Sequence, residues 1–172
     1  MVRLAILALV AAVSAAVYSA VLWVSLSSTL PAPQQPHPLP APLRAHLQQE
    51  RLDAVTSIRG LPLGVRDALQ RLFGSSTLDI ADPGGAFRAS GSGRDLSLPI
   101  RRLVAAGCST DHCLVYYERG GAAPTWPVAL FHWTPGATRF EWGASAPGGM
   151  ATLDEILQGV LSGAIDRPNR IW

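Results

Sequence analysis

Leu98-Pro-Ile-Arg-Arg-Leu-Val-Ala-Ala-Gly-Cys108-Ser-Thr-Asp-His-Cys113-Leu-Val-Tyr-Tyr-Glu118 is the stretch whose reading decides the fold. Two runs of strand length, rich in apolar, β-branched and aromatic residues, flank a short polar loop that carries the only two cysteines. The same pattern continues downstream. Strands are expected over 98–106, 113–118, 126–134 and 138–143, punctuated by the cysteine loop, by Gly120-Gly121 and by Pro135-Gly136. Connections this short join antiparallel neighbours. Alternation sends Leu114 and Tyr116 to one face and Val115 and Tyr117 to the other. It groups Ala129, Phe131 and Trp133 on the third strand, and Phe140 with Trp142 on the fourth. A helix over 153–164 closes the pattern, opened by Thr152-Leu153-Asp154-Glu155, which has the spacing of a capping box. The expected class is α+β: an antiparallel sheet of about four to five strands with helices packed on one side.

Upstream of the sheet, Leu43, Leu47, Val55 and Ile58 fall near one helical face and predict an amphipathic helix over 43–58, with His46 on its solvent side. A second helix is expected over 63–73, where Val65, Ala68, Leu69, Leu72 and Phe73 recur and Gly74 follows at the position of a left-handed cap. Asp82-Pro83-Gly84-Gly85 and Ser90-Gly91-Ser92-Gly93 mark loops, with a short strand expected near Leu78 and Ile80. Between Pro31 and Pro42 six prolines alternate with small or polar residues. Such a composition favours extended polyproline II, and His37 within it reads as a solvated spacer residue.

Residues 4–26 carry no charge. At 1.5 Å per residue they reach about 34 Å, enough for a hydrocarbon core of roughly 30 Å. An uncleaved anchor is the expectation; cleavage after the small residues Ser14-Ala15-Ala16 is the alternative. Arg3 is the only charged residue before Arg44, which places the N-terminus in the cytoplasm and the rest outside the membrane. The expected organisation is therefore residues 1–3 in the cytoplasm, a membrane anchor over 4–26, a spacer over 27–42 and one periplasmic domain over 43–172 of a bacterial inner-membrane protein. Ala8, Ala12, Ala16 and Ala20 share one face of the anchor, where another helix, including that of a second copy, would approach closely. All fourteen basic residues are arginine, against twelve acids, for a formal charge of +2. That near-neutrality lacks the basic surplus a phosphate backbone requires, so no nucleic-acid partner is expected.

On the oxidising side of a membrane Cys108 and Cys113 are expected to form a disulfide. Closing so short a loop contributes only about 2 kcal/mol by chain entropy. Its larger effect is to hold the loop in one conformation, which lowers the ordering cost of inserting it into a partner. The expected contact residues are Asp111 and His112 at the tip, with Ser109 and Thr110 beside them and Tyr117 and Glu118 flanking. Zinc on Cys108, Cys113 and His112 is not expected, because the C-x4-C spacing is atypical and a fourth ligand is not evident. No cofactor is expected either. No G-x-S-x-G, H-E-x-x-H, Walker or dinucleotide glycine pattern occurs, His132 reads as an ordinary strand histidine, and the chain is read as a non-enzyme. Glu118, Arg119 and Glu141 are candidates for pairing across neighbouring strands.

The order strand, C-x4-C loop with a histidine, strand, hairpin, strand and C-terminal helix over residues 96–165 resembles the Ivy family of periplasmic inhibitors of c-type lysozyme. Trp142 ahead of a Leu-rich final helix, and Leu161-Ser162-Gly163 near its end, are part of that likeness. The family's loop reads Cys-Lys-Pro-His-Asp-Cys, and its histidine enters the lysozyme cleft. Here Asp111 precedes His112, and Ser109 and Thr110 stand in place of the Lys and Pro. The resemblance implies a binding and inhibitory module with a protein partner in the periplasm, a cell-wall hydrolase. The alternative is a non-enzymatic envelope scaffold subunit that meets its partner through the anchor stripe or a sheet edge.

Overall fold

A computed structural model of the chain describes residues 37–90 and 96–172. The expected anchor over 4–26 with its alanine stripe, most of the spacer, and residues 91–93 of the expected loop lie outside the described residues.

Five antiparallel strands follow one another across a single sheet: β1 (Asp53–Val55), β2 (Arg101–Cys108), β3 (His112–Arg119), β4 (Trp126–Thr134) and β5 (Ala137–Ala146), in the spatial order β1-β2-β3-β4-β5. Helices α1 (Ala41–Leu47), α2 (Leu63–Phe73) and α3 (Leu153–Ser162) complete the described elements, with one turn of 3-10 helix at Ile58–Gly60. The α+β class and the antiparallel sheet stand as expected.

The helices, however, cover both faces, not one. Leu114 and Tyr116 of β3 pack with Leu47 of α1 and with Ile156 and Val160 of α3. Val115 and Tyr117 pack on the other side with Val65, Ala68 and Leu69 of α2. The cause is legible in β3 itself, where every side chain from His112 to Tyr117 is buried. A strand apolar on both sides needs a layer on each, and each such side chain contributes roughly 1.5–3 kcal/mol when buried.

Two irregularities in the ladder re-aim side chains. Between Leu103 and Ala105 the β2–β3 register shifts, so that Val104 and Ala105 both turn toward the α1/α3 face. On β5, Trp142 pairs with Leu130 but Phe140 pairs with Phe131, leaving Glu141 as the extra residue of a bulge. Phe140 and Trp142 therefore do not share a face, as strict alternation predicted. Trp142 enters the α1/α3 core, whereas Phe140 meets the rings of Phe131 and Trp172 on the other side.

The expected helix over 43–58 is replaced by a shorter one and a strand. Helix α1 starts at Ala41, two residues early, with Pro42 in its first turn; it ends at Leu47, and Asp53–Val55 joins the open edge of β2. The helical spacing was coincidental: Leu43 and Leu47 belong to the α1/α3 core, Val55 and Ile58 to the α2 core. Near Leu78 and Ile80 there is no strand, only a bridge from Ala81 to Arg102. The packed unit also begins earlier than residue 43. Leu39 is buried, the His37 amide donates to the Asp166 carbonyl at 2.6 Å, and the His37 carbonyl accepts from the Trp142 indole at 3.1 Å. His37 is thus a strap on the core and not a free spacer residue.

Helix α2 spans the predicted residues and stops at Gly74, whose φ of 63° is the left-handed conformation of a helix stop. The capping box of α3 is present in both directions.

Candidate functional site

Strands β2 and β3 meet at a tight turn, residues 109–111, with Cys108 and Cys113 directly opposite one another and joined by a disulfide. The turn is fastened from inside. The Ser109 hydroxyl accepts from the amides of Asp111 (3.1 Å) and His112 (2.9 Å) and donates to Glu50 Oε2 at 2.7 Å. The Ser109 carbonyl accepts from the Trp133 indole, and the Asp111 carbonyl from the Trp133 amide. Few degrees of freedom are left to this turn.

His112 is the first residue of β3, and its side chain points to the α1/α3 face, where it is only 4% exposed. Its Nδ1 lies 2.7 Å from Glu50 Oε1 and its Nε2 lies 3.1 Å from Glu141 Oε2. A buried polar ring needs partners for both nitrogens, and here carboxylates supply them. The β5 bulge is what turns Glu141 to this position. Desolvation pulls the Glu141 carboxyl upward, but hydrogen bonds from Arg139 (2.6 Å) and His112, with their charges, outweigh it and hold the group below the ordinary carboxylate range.

Helix α1 brings the second half. His46 and Glu50 stand four residues apart, and His46 Nε2 lies 2.5 Å from the same Glu50 Oε1 that meets His112. The rings of His46 and His112 are 5.1 Å apart, and that of His132 on β4 is 5.5 Å from His112. Asp111 Oδ2 is 3.8 Å from His46 Nε2. Three of the four histidines in the sequence thus converge with three carboxylates. All of them except Glu50, which sits behind His46 and His112, line one wall of an open cleft of about 750 Å³ between α1, the stapled turn and the ends of β4 and β5. Among the described residues, His46, Glu50 and His112 place their ligand atoms within 4.8 Å of one another.

No family model, curated protein or solved structure matches the chain.

The residues expected to form the partner contact are not all brought together. Thr110 is exposed and Asp111 half-exposed at the lip of the cleft. Ser109 and His112 instead serve the interior, so His112 is not a tip residue as expected. Tyr117 does not flank the turn: it is fully buried on the α2 face, where burial pushes its hydroxyl pKa up. Glu118 lies about 20 Å along the strand from the turn, paired with Arg102 at 2.8 Å. The sequence missed Glu50 altogether, treated His46 and His132 singly and grouped Glu141 with Glu118 and Arg119, whereas Glu141 meets Arg139 and His112. Only the His46-x3-Glu50 spacing was a local signal; the rest depended on a hairpin register and a bulge.

Proposed function

We propose that the chain is a membrane-tethered, extracytoplasmic binding module that presents the stapled β2–β3 turn and the adjoining cleft to a protein partner. A cell-wall hydrolase is the partner class that the resemblance to the lysozyme inhibitors suggests. The observation that carries this reading is the rigidity of the turn beside an open cleft. Disulfide, Ser109 and Trp133 fix the backbone, while Thr110 and Asp111 alone among the turn's side chains face outward. A contact prepared in this way forfeits little conformational entropy on binding. The tether and the compartment rest on residues 4–26 and the charge of Arg3.

The test uses the full chain in detergent as bait in a solubilised envelope extract, beside a Thr110→Ala/Asp111→Arg variant. Both substitutions leave the buried His112 untouched. The expected result is a hydrolase retained by the wild-type chain, lost from the variant, and slowed on cell-wall substrate only by the wild type. Identical partners in both lanes, or none, would overturn the reading.

A further inference from the structure

We propose that His46, Glu50 and His112 form a binding site for a divalent transition-metal cation of the zinc type, with Asp111 in reach as a fourth ligand. This assignment is independent of the partner proposed above. Two imidazoles and a carboxylate are a donor set that zinc, cobalt and their neighbours accept. The donor atoms are His46 Nε2, His112 Nδ1 and Glu50 Oε1, with separations of 2.5 and 2.7 Å to the shared carboxylate oxygen. Around a tetrahedral ion with bonds of about 2.0–2.1 Å, donors stand about 3.3 Å apart. The two separations therefore widen by about 0.8 and 0.6 Å when an ion enters between the rings and Glu50. Side-chain torsions of His46, whose side chain is half exposed, supply the first movement, and a small rotation of the Glu50 carboxylate, which stands beyond the end of α1, supplies the second.

The surroundings of the three groups distinguish them from a simple ion-pair cluster. A metal-bound imidazole characteristically donates its other ring N–H to a carboxylate, and a ligating carboxylate is itself hydrogen-bonded. Both features are built. His112 Nε2 faces Glu141, which Arg139 clamps at 2.6 Å, and the second oxygen of Glu50 accepts from Ser109. The sulfurs of Cys108 and Cys113 are joined to each other and take no part. The site opens to the cleft through His46 and Asp111, which gives the ion a path of entry and leaves room for water or an incoming ligand.

The experiment titrates untagged, chelator-stripped full chain in detergent with Zn2+ by calorimetry and with Co2+ by absorbance. The expected result is one saturable equivalent, with cobalt ligand-field bands and no thiolate charge-transfer band. His46→Gln should weaken binding at least about tenfold, and Glu141→Gln by about 10- to 100-fold. His37→Gln, which alters a histidine outside the cluster, should change nothing. Because His46 is half exposed, its variant folds and melts within a few degrees of the metal-free wild type, so a loss of binding reports the ligand itself. Absence of saturable binding by the wild type up to millimolar metal would overturn the assignment, as would equal affinity in His46→Gln.

Discussion

The two faces of the sheet each enclose a cationic or polar side chain that would be costly to bury alone, and they treat it in opposite ways. On the α2 face Arg101 is 5% exposed. Its Nη1 meets Asp79 at 2.8 Å, its Nη2 donates to the Trp172 carbonyl, and its guanidinium lies 4.0 Å from the centre of the Phe73 ring. Burial lowers its pKa, with Asp79 and Tyr117 opposing that shift. On the α1/α3 face His112 is buried to the same degree, yet its partner Glu50 is shared with His46, whose side chain is half exposed at the cleft. The Arg101 cluster is covered by the Phe73 ring and tied to the chain end through the Trp172 carbonyl, an arrangement suited to holding the fold together. The His112 cluster opens to the cleft through His46, so an incoming ligand can reach it.

The sharpest way to break that comparison is to remove one member from each face. Arg101→Met strands Asp79 and empties a charged position in a low-dielectric core, a type of change that costs about 3–5 kcal/mol. Asp79 keeps some access to water, which favours the lower end of that range. Urea unfolding should show a lower midpoint with an unchanged slope. In the same assay metal-free His46→Gln should cost about 1 kcal/mol or less, because His46 is half exposed and Glu50 keeps His112 and Ser109 as partners. Equal losses from the two variants would mean that both clusters are structural.

A smaller effect concerns the staple between them. Replacing Cys108 and Cys113 together by Ala should cost about 2 kcal/mol by chain entropy, because the closed loop is so short. Ser109 and Trp133 still hold the turn after the bridge is gone. Under the proposed binding role, partner capture should therefore be weakened but retained. A loss well above that figure would assign the bridge to the core, in line with the complete burial of Cys113 on the α2 face.

The strands were legible because their alternation is local: β4 over Trp126–Thr134 and α2 over Leu63–Phe73 were read with their observed limits, and the α3 cap with both its hydrogen bonds. What stayed hidden depended on register. Nothing near Glu141 in sequence announces that a bulge turns it toward His112, and strict alternation assigned Phe140 and Trp142 a common face for the same reason. Val55 and Ile58 mimicked a helical stripe with Leu43 and Leu47 because apolar spacing cannot report that the chain crosses from one face of the sheet to the other at β1. The stapled turn was found from its cysteines, but His112 was assigned to the tip because sequence does not show that β3 starts at that residue.

The last difference between the faces is how their helices begin, and it sets a pH dependence. Helix α2 starts after Pro62 with no side-chain cap, whereas α3 starts at Thr152 with Glu155 accepting from the amides of Ala151 (2.8 Å) and Thr152 (3.1 Å). These backbone hydrogen bonds hold the Glu155 carboxyl below its ordinary value of 4.5. A carboxylate with a depressed folded-state pKa gives its full stabilisation above the unfolded value and loses it as pH falls through the folded one. Protection of the Ala151 and Thr152 amides against hydrogen exchange should therefore decline as pH falls below the ordinary carboxylate range, while amides in α2 show no matching loss over the same window. Glu155→Gln keeps an accepting oxygen but no titrating group, so it should remove the pH dependence of those two amides and leave the cap formed. A decline of equal size in the Gln variant would place the acid sensitivity elsewhere on the α1/α3 face.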